Sequence, residues 1–300
     1  MCIRDRVLAQ GVRSGLERAV RILMPLFIAF VIWLAFYAYE VGDFQQAYDF
    51  MTAFDVTEIT PQLFVAALTQ ALFSSSVGIG ILIMYGSYVS QSRPLFFAAG
   101  TIMVFDTSIA LLMGFAILSI VFAFGLQVDS GPGLIFETLP VVFTQISENG
   151  IWWSSSFFFL LFVAALTSGF ALLEPTIAII SSRLALSRRA AAWLSGTFAW
   201  ALGWLSIYSF SESPFSFYYF NQEYQHGYFD FINILSTHVL LPLTVLLVCI
   251  FTGWRMSKNT SIDALKVRLR GTYFIWRFCI RFVAPLIIAT CLVLVLFYPA

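Results

Sequence analysis

Three stretches of this sequence set oxygen ligands among apolar neighbours. The first, QALFSSSVGIGILIMYGSY over residues 70–88, carries Ser74, Ser75, Ser76, Gly78 and Gly80 at the middle of an apolar run. Two glycines beside a serine run weaken a helix by roughly 1 kcal/mol each, which predicts a broken helix. Unwound backbone at lipid depth persists only where it lines a cavity or is buried by protein, and its N–H and C=O groups can then hold a ligand or a cation. Small residues at a close helix contact are the alternative. The second stretch holds Asp106, in GTIMVFDTSIALLMG. A mid-span carboxylate costs on the order of 2.5–3.5 kcal/mol unless partnered. No basic residue in any span is placed to neutralise it, which leaves a cation, a bound proton, or an acid kept neutral by burial. The third, FLLFVAALTSGFALLEP over 159–175, puts Thr167 and Ser168 three and four positions after Ala164, on one helix face. Two hydroxyls and a carbonyl so grouped suit a small monovalent cation; hydroxyls bonded back to the preceding turn are the common alternative. Glu174 lies on nearly the same face as Thr167, and Pro175 after it predicts a kink.

These groups need a scaffold, and the composition states which kind. Of 300 residues 60% are hydrophobic and 11% charged, against about 25% charged in soluble domains, so an ordinary soluble fold is excluded. Windows of about 19 residues give membrane spans near 22–39, 62–88, 94–124, 153–183, 188–210, 228–254 and 273–297, an all-α transmembrane chain. Between the third and fourth spans, 131–150 is too interrupted to cross a bilayer and reads as an outer helical hairpin. Residues 211–227 form an aromatic outer loop and 255–271 a basic inner linker. Every Lys and Arg falls on the side of the first residue, while the opposite loops are acidic, so the N-terminal end is cytoplasmic and the chain sits in the cell (inner) membrane. Residues 1–10, opening MCIRDR, read as a non-native or disordered leader, since no signal-peptide core follows them.

The remaining chemistry is sparse. Cys2, Cys249, Cys279 and Cys291 show no disulfide or thiolate-metal spacing and read as apolar packing. His226 and His238 lack metal-ligand spacing; His238 reads as a satisfied polar group. No span holds a His-Glu or Ser-His constellation, so an enzyme is not expected. A net charge of zero gives no reason to invoke nucleic acid. A retinal pump would need a lysine in the last span, and both lysines, Lys258 and Lys266, lie in the inner linker. A seven-helix receptor-like protein or a structural membrane subunit without ion coupling stays open at this point.

SGLERAVRILMP (14–25), QALFSSSVGIG (70–80), GPGLIFETLPVVF (131–143) and FVAALTSGFALLEP (162–175) together resemble the neurotransmitter:sodium symporter family in its bacterial branch. The likeness runs from about residue 11 to the end. It implies seven membrane helices of an inverted-repeat (5+5) fold, equivalent to that family's fifth to eleventh, with helices one to four missing, so that 11–300 is a partial symporter domain. It also implies sodium-coupled transport of an amino acid or related amine-bearing solute. By position, Ser74 and Asp106 match the family's first sodium site, and the Ala164 carbonyl, Thr167 and Ser168 the second. Phe73, Ser76, Gly78, Ile79, Gly80 and Leu172 match its substrate pocket. Gln70 falls near the anion position of chloride-dependent members; Asp106 already supplies fixed negative charge, so chloride is not expected to be required. Ala110 lacks the serine or glutamate of some relatives. Asn233 stands where an outer-gate aspartate is common, leaving Asp230 as the nearby acid, and Ser182 replaces an acid that often latches the inner gate. The expected partners are the solute and the bilayer, with a homodimer to be tested.

Overall fold

The computed structural model describes residue 21 and residues 24–53, 59–87, 94–125, 133–146, 150–211, 215–219, 222–266 and 270–297. Among them, six helices are long and apolar enough to cross a membrane: Met24–Val41 (α1), Leu95–Ala123 (α5), Gly150–Arg183 (α7), Arg188–Ser211 (α8), Gly227–Arg255 and Gly271–Val295. Each falls within three residues of an expected span. The expected span 62–88 is not one of the six. It is divided into α3 (Pro61–Ser74) and α4 (Ile81–Gly86), neither long enough alone.

The last two long helices are interrupted by π turns. Gly227–Arg255 consists of α9 (Gly227–Ile234), a π turn, α10 (Leu241–Ile250) and a second π turn, Phe251–Arg255. The final span runs from α12 (Arg270–Phe278) through the π turn Cys279–Val283 into α13 (Ala284–Phe297). Three of the short helices begin on side-chain caps. Asp43 accepts the Gln46 N–H at 2.9 Å to open α2 (Phe44–Thr52), Thr60 accepts the Leu63 N–H at 3.2 Å to open α3, and Ser257 accepts the Thr260 N–H at 3.1 Å to open α11 (Lys258–Leu265). Of the outer hairpin expected over 131–150, the described residues form one helical arm, a π turn Leu134–Thr138 leading into α6 (Leu139–Ile146).

The chain divides into two compact units, 1–54 with 104–170 and 55–103 with 171–300. In the first, α1, α5 and the 134–146 arm close on Leu34, Ala38, Ala116, Ile120, Val121 and Val142, and a second cluster joins Leu139 and Phe143 to Phe157 of α7. The Asp43 N–H bonds the Ser119 carbonyl at 2.9 Å, fastening the α1–α2 turn to α5. In the second unit α10 packs against α13 through Val245, Cys249 and Ile288, and Val65 of α3 meets Cys291 and Val295 of α13. Over this packing lies a two-stranded antiparallel hairpin, β1 (Phe217–Tyr219) and β2 (Gln222–Tyr224), whose Tyr219 packs on the Val65 cluster. Cys249 and Cys291 are buried as expected of apolar packing; Cys279 is exposed. Large apolar side chains remain on the surface of the long helices, Phe97 at 74% and Trp193 at 78% exposure, a liability in water and the normal state of a lipid-facing helix.

Candidate functional site

The break between α3 and α4 is built by a helix terminator inside an apolar run. Ser75 caps α3, its hydroxyl donating to the Ala71 carbonyl at 2.7 Å. The Val77 N–H then reaches back to the Leu72 carbonyl at 3.2 Å and the Ser76 N–H to the Phe73 carbonyl at 3.0 Å. That pair of bonds is a Schellman motif, with Ser76 in the left-handed position at φ 55° where glycine is usual. Gly78 and Gly80 follow at φ 88° and 91°, conformations that a side chain rarely adopts.

The two glycines differ in what surrounds them. A Cβ on Gly78 would lie 2.5 Å from Val245 Cγ2 and 2.9 Å from Thr244 Oγ1, so this bend is pressed against α10. At Gly80 the nearest atom is Pro175 Cβ at 3.6 Å, an ordinary contact. Gly80 therefore faces the second half of α7 one turn beyond Leu172. Ser76, Gly78, Ile79 and Gly80 are half-buried, while Phe73 (53%) and Leu172 (44%) are exposed. α7 continues through Pro175, which is buried and takes away the donor that the Ala171 carbonyl would otherwise receive.

In the other unit, Ala164, Thr167 and Ser168 line a cleft of about 120 Å³ shared with Met24 and Phe27 of α1. The expected face is present. The Thr167 hydroxyl donates to the Ala164 carbonyl at 2.9 Å, so the back-bonded arrangement is the one the isolated chain adopts. This does not remove the oxygens: the hydroxyl keeps its lone pairs and the carbonyl its second one. Two oxygens 2.9 Å apart are close enough to share one ion.

The members of the other expected sodium set fall in different units. Asp106 lies midway along α5 in the first unit and Ser74 on the last turn of α3 in the second, both exposed. The two residues expected at an outer gate behave unlike each other. The Asp230 carboxylate accepts the His226 N–H at 2.9 Å, clasping the start of α9, while Asn233 is exposed and offers its carbonyl to the Ser236 and Thr237 hydroxyls. His226 stacks on Phe210 with ring centroids 4.4 Å apart.

Two features lay outside the sequence reading. Glu174 forms an ion pair with Arg188, fourteen residues on, at the turn between α7 and α8. The basic spacing alone left Arg188 as one of several inner-side charges. The Nδ1 of His238 is buried without a hydrogen-bond partner among the described residues, which corrects the expectation of a satisfied polar group. Its ring lies 5.7 Å from that of Tyr219, so aromatic packing rather than hydrogen bonding holds it. Ser182, expected at the inner gate, bonds the Ile179 carbonyl at 3.0 Å.

Comparison with known proteins gives this geometry a context. The sodium:neurotransmitter symporter family matches residues 6–299. A sodium-dependent transporter of Haemophilus influenzae is 31% identical over 94% of this chain and 61% of its own length. A sodium-dependent transporter of Bacillus subtilis is 27% identical over 96% of the chain and 63% of its own. Among solved structures, MhsT in complex with L-phenylalanine is 33% identical, with a TM-score of 0.83, over 94% of this chain and 63% of that one. The chain thus spans about three fifths of the length of these relatives.

Proposed function

The chain belongs to the sodium:neurotransmitter symporter family, a family of multi-pass membrane transporters rather than enzymes, and from that premise we propose that it carries ion and solute sites of a sodium-coupled amino acid symporter. The observation that carries this reading is the break at residues 75–80. A backbone unwound at span depth and held so by Gly78 against α10 presents carbonyl and N–H groups that a continuous helix would consume. The phenylalanine complex of the relative above supports an amino acid as the solute class.

On this reading α3 and α4 are the two halves of a broken second span, equivalent to the family's sixth helix, in an inverted-repeat (5+5) fold. Phe73, Ser76, Gly78, Ile79, Gly80 and Leu172 line the solute. The Ala164 carbonyl, Thr167 and Ser168 hold one sodium ion, the Thr167 proton turning from Ala164 to release both oxygens. Ser74 and Asp106 are assigned to sodium by family position, Asp230 and Asn233 to the outer gate. The fixed charge of Asp106 makes chloride dispensable. The chain lies in the cell membrane with its N-terminal end cytoplasmic, from the one-sided placement of Lys and Arg. A homodimer is the oligomeric form to test. Sodium and solute then raise each other's affinity by the same factor.

The test is uptake of L-phenylalanine and a panel of other amino acids by the full-length parent protein in proteoliposomes under a sodium gradient, since this chain spans about three fifths of the length of its relatives. Uptake should follow sodium and not chloride, and should collapse in Asp106→Ala and Thr167→Ala; intact sodium dependence in both variants sinks the assignment. The folded-back Thr167 hydroxyl favours a second reading, a structural membrane subunit without ion coupling. That alternative predicts no thermal stabilisation by sodium over potassium.

A further inference from the structure

We propose that the groove between α10 and the last span holds an anionic phospholipid, its phosphate on Arg281 and an acyl chain along an apolar floor. The groove has a volume of about 590 Å³ and is floored by Leu246, Ile250, Leu286 and Ala289. Its single charged residue is Arg281, whose guanidinium carbon lies 5.5 Å from the Trp254 ring and 5.7 Å from that of Phe282.

Two arginines one turn apart divide the work here. Arg277 spends its donors inside the protein, on the Ser261 and Tyr273 hydroxyls at 3.1 and 3.2 Å and on the Gly253 and Met256 carbonyls at 3.2 and 3.0 Å. It ties the end of one span to the start of the next. Arg281 makes no hydrogen bond or ion pair among the described residues, although its Nε is buried. A buried donor without an acceptor is uncommon in folded proteins. The planar fork that goes unused is the shape that grips a phosphate.

The depth of the groove suits a lipid. Gly253 backs onto Arg281, so the guanidinium lies level with the end of the span Gly227–Arg255. That end carries Trp254, a residue type enriched at the membrane interface, and runs on into Arg255 and Lys258. From Arg281, Leu286 and Ala289 lie five and eight residues along the helix, about 8 and 12 Å at 1.5 Å per residue. On the neighbouring helix Leu246 lies eight residues before Trp254. The floor thus runs from the interface toward the bilayer centre, the path of an acyl chain below its headgroup. Basic pockets between membrane helices bind anionic headgroups in this manner. The leaflet is the inner one under the orientation proposed above, while binding itself is read without reference to orientation or transport.

The experiment is native mass spectrometry of the detergent-purified protein titrated with phosphatidylglycerol or phosphatidylcholine. One phosphatidylglycerol should be retained per chain, with half-occupancy at a concentration about tenfold lower than for phosphatidylcholine, and Arg281→Gln should abolish that preference. Ala289→Trp, which fills the floor and keeps the arginine, should lower retention as well and carries the test if Arg281→Gln does not fold. Equal retention of the two lipids by the parent chain, or unchanged preference in Arg281→Gln, overturns the proposal. So does displacement of the bound lipid by millimolar inorganic phosphate, which marks a free-anion site. A dimer mass lost in Arg281→Gln in place of a lipid mass also overturns it, assigning the groove to a second copy.

Discussion

The stretch 75–80 and the stretch 164–168 both place oxygen at span depth, yet they do so by opposite means. In the first, backbone geometry is imposed: two glycines at positive φ, a Schellman turn closed by Ser76, and contact with α10 leave no regular helix to return to. In the second, a regular helix carries side-chain oxygens, and Thr167 satisfies itself on the turn before. One region is shaped before any ligand arrives; the other must give up an internal hydrogen bond to receive one. Preorganised sites lose less free energy to ordering on binding. On the proposed reading, the broken stretch would define the solute and the helical stretch would be the part whose occupancy switches.

The largest effect should come from filling the bend. Gly78→Ala sets a methyl 2.5 Å from Val245 and asks alanine to hold φ 88°, so strain and overpacking together should cost about 3 kcal/mol or more. Gly80→Ala meets only the φ penalty, about 1–2 kcal/mol, because its neighbour lies at 3.6 Å. Thermal unfolding and solute binding of the two variants separate these cases. If both are equally mild, the break is not held by α10 and the contrast between the regions weakens.

Next in size is the switchable side. Thr167→Val keeps the shape of the helix and removes one oxygen. Because the lost bond is a local back-bond, unfolding stability should change by less than about 1 kcal/mol, while sodium-dependent uptake by the full-length parent should collapse as in Thr167→Ala. A stability loss with that uptake intact would make Thr167 a helix-bending residue and no more. Smaller again is Glu174→Gln, which breaks the pair with Arg188. With side chains 19% and 26% exposed, the pair is partly screened and its loss should cost about 1 kcal/mol, read in thermal unfolding. An effect on stability with no effect on sodium affinity would keep the pair outside both regions.

The same contrast explains what the sequence made legible. Hydropathy located the six long helices within a few residues, since lipid demands near-uniform apolar runs. The Ser-Gly pattern located the break, because glycine's cost in a helix is local. What the sequence did not disclose depends on partners distant in the chain or on hydroxyl rotation. Glu174 found Arg188 across a turn, Asp230 was drawn into clasping the start of α9, and Thr167 chose its own helix. His238 went the other way, into a setting where its Nδ1 has no partner among the described residues. Backbone-determined features are written in single residues, whereas side-chain-determined ones require the fold.

The smallest expected effect probes a side-chain-held part of the same unit that contains the break. Burial above all, then the neighbouring Tyr224 and Cys291, push the Tyr219 phenol up to about 12 from an ordinary value of 10. Tyr224, beside it on β2, is raised in the same direction by burial and by Asp230. Above pH 10 the unfolded chain releases the Tyr219 proton while the folded hairpin retains it, so the stability it lends is present below pH 10 and lost as pH climbs toward about 12. A nitroxide at the exposed position 218 should therefore gain mobility over that window, and Tyr219→Phe should blunt the change. The bend at Gly78 contains no titrating group and is fixed by φ and contact, so a nitroxide at position 79 should stay immobile over the same range. If both labels loosen together, the break depends on the hairpin packed over α3 and α13, and its geometry is shared with side chains rather than set by backbone alone.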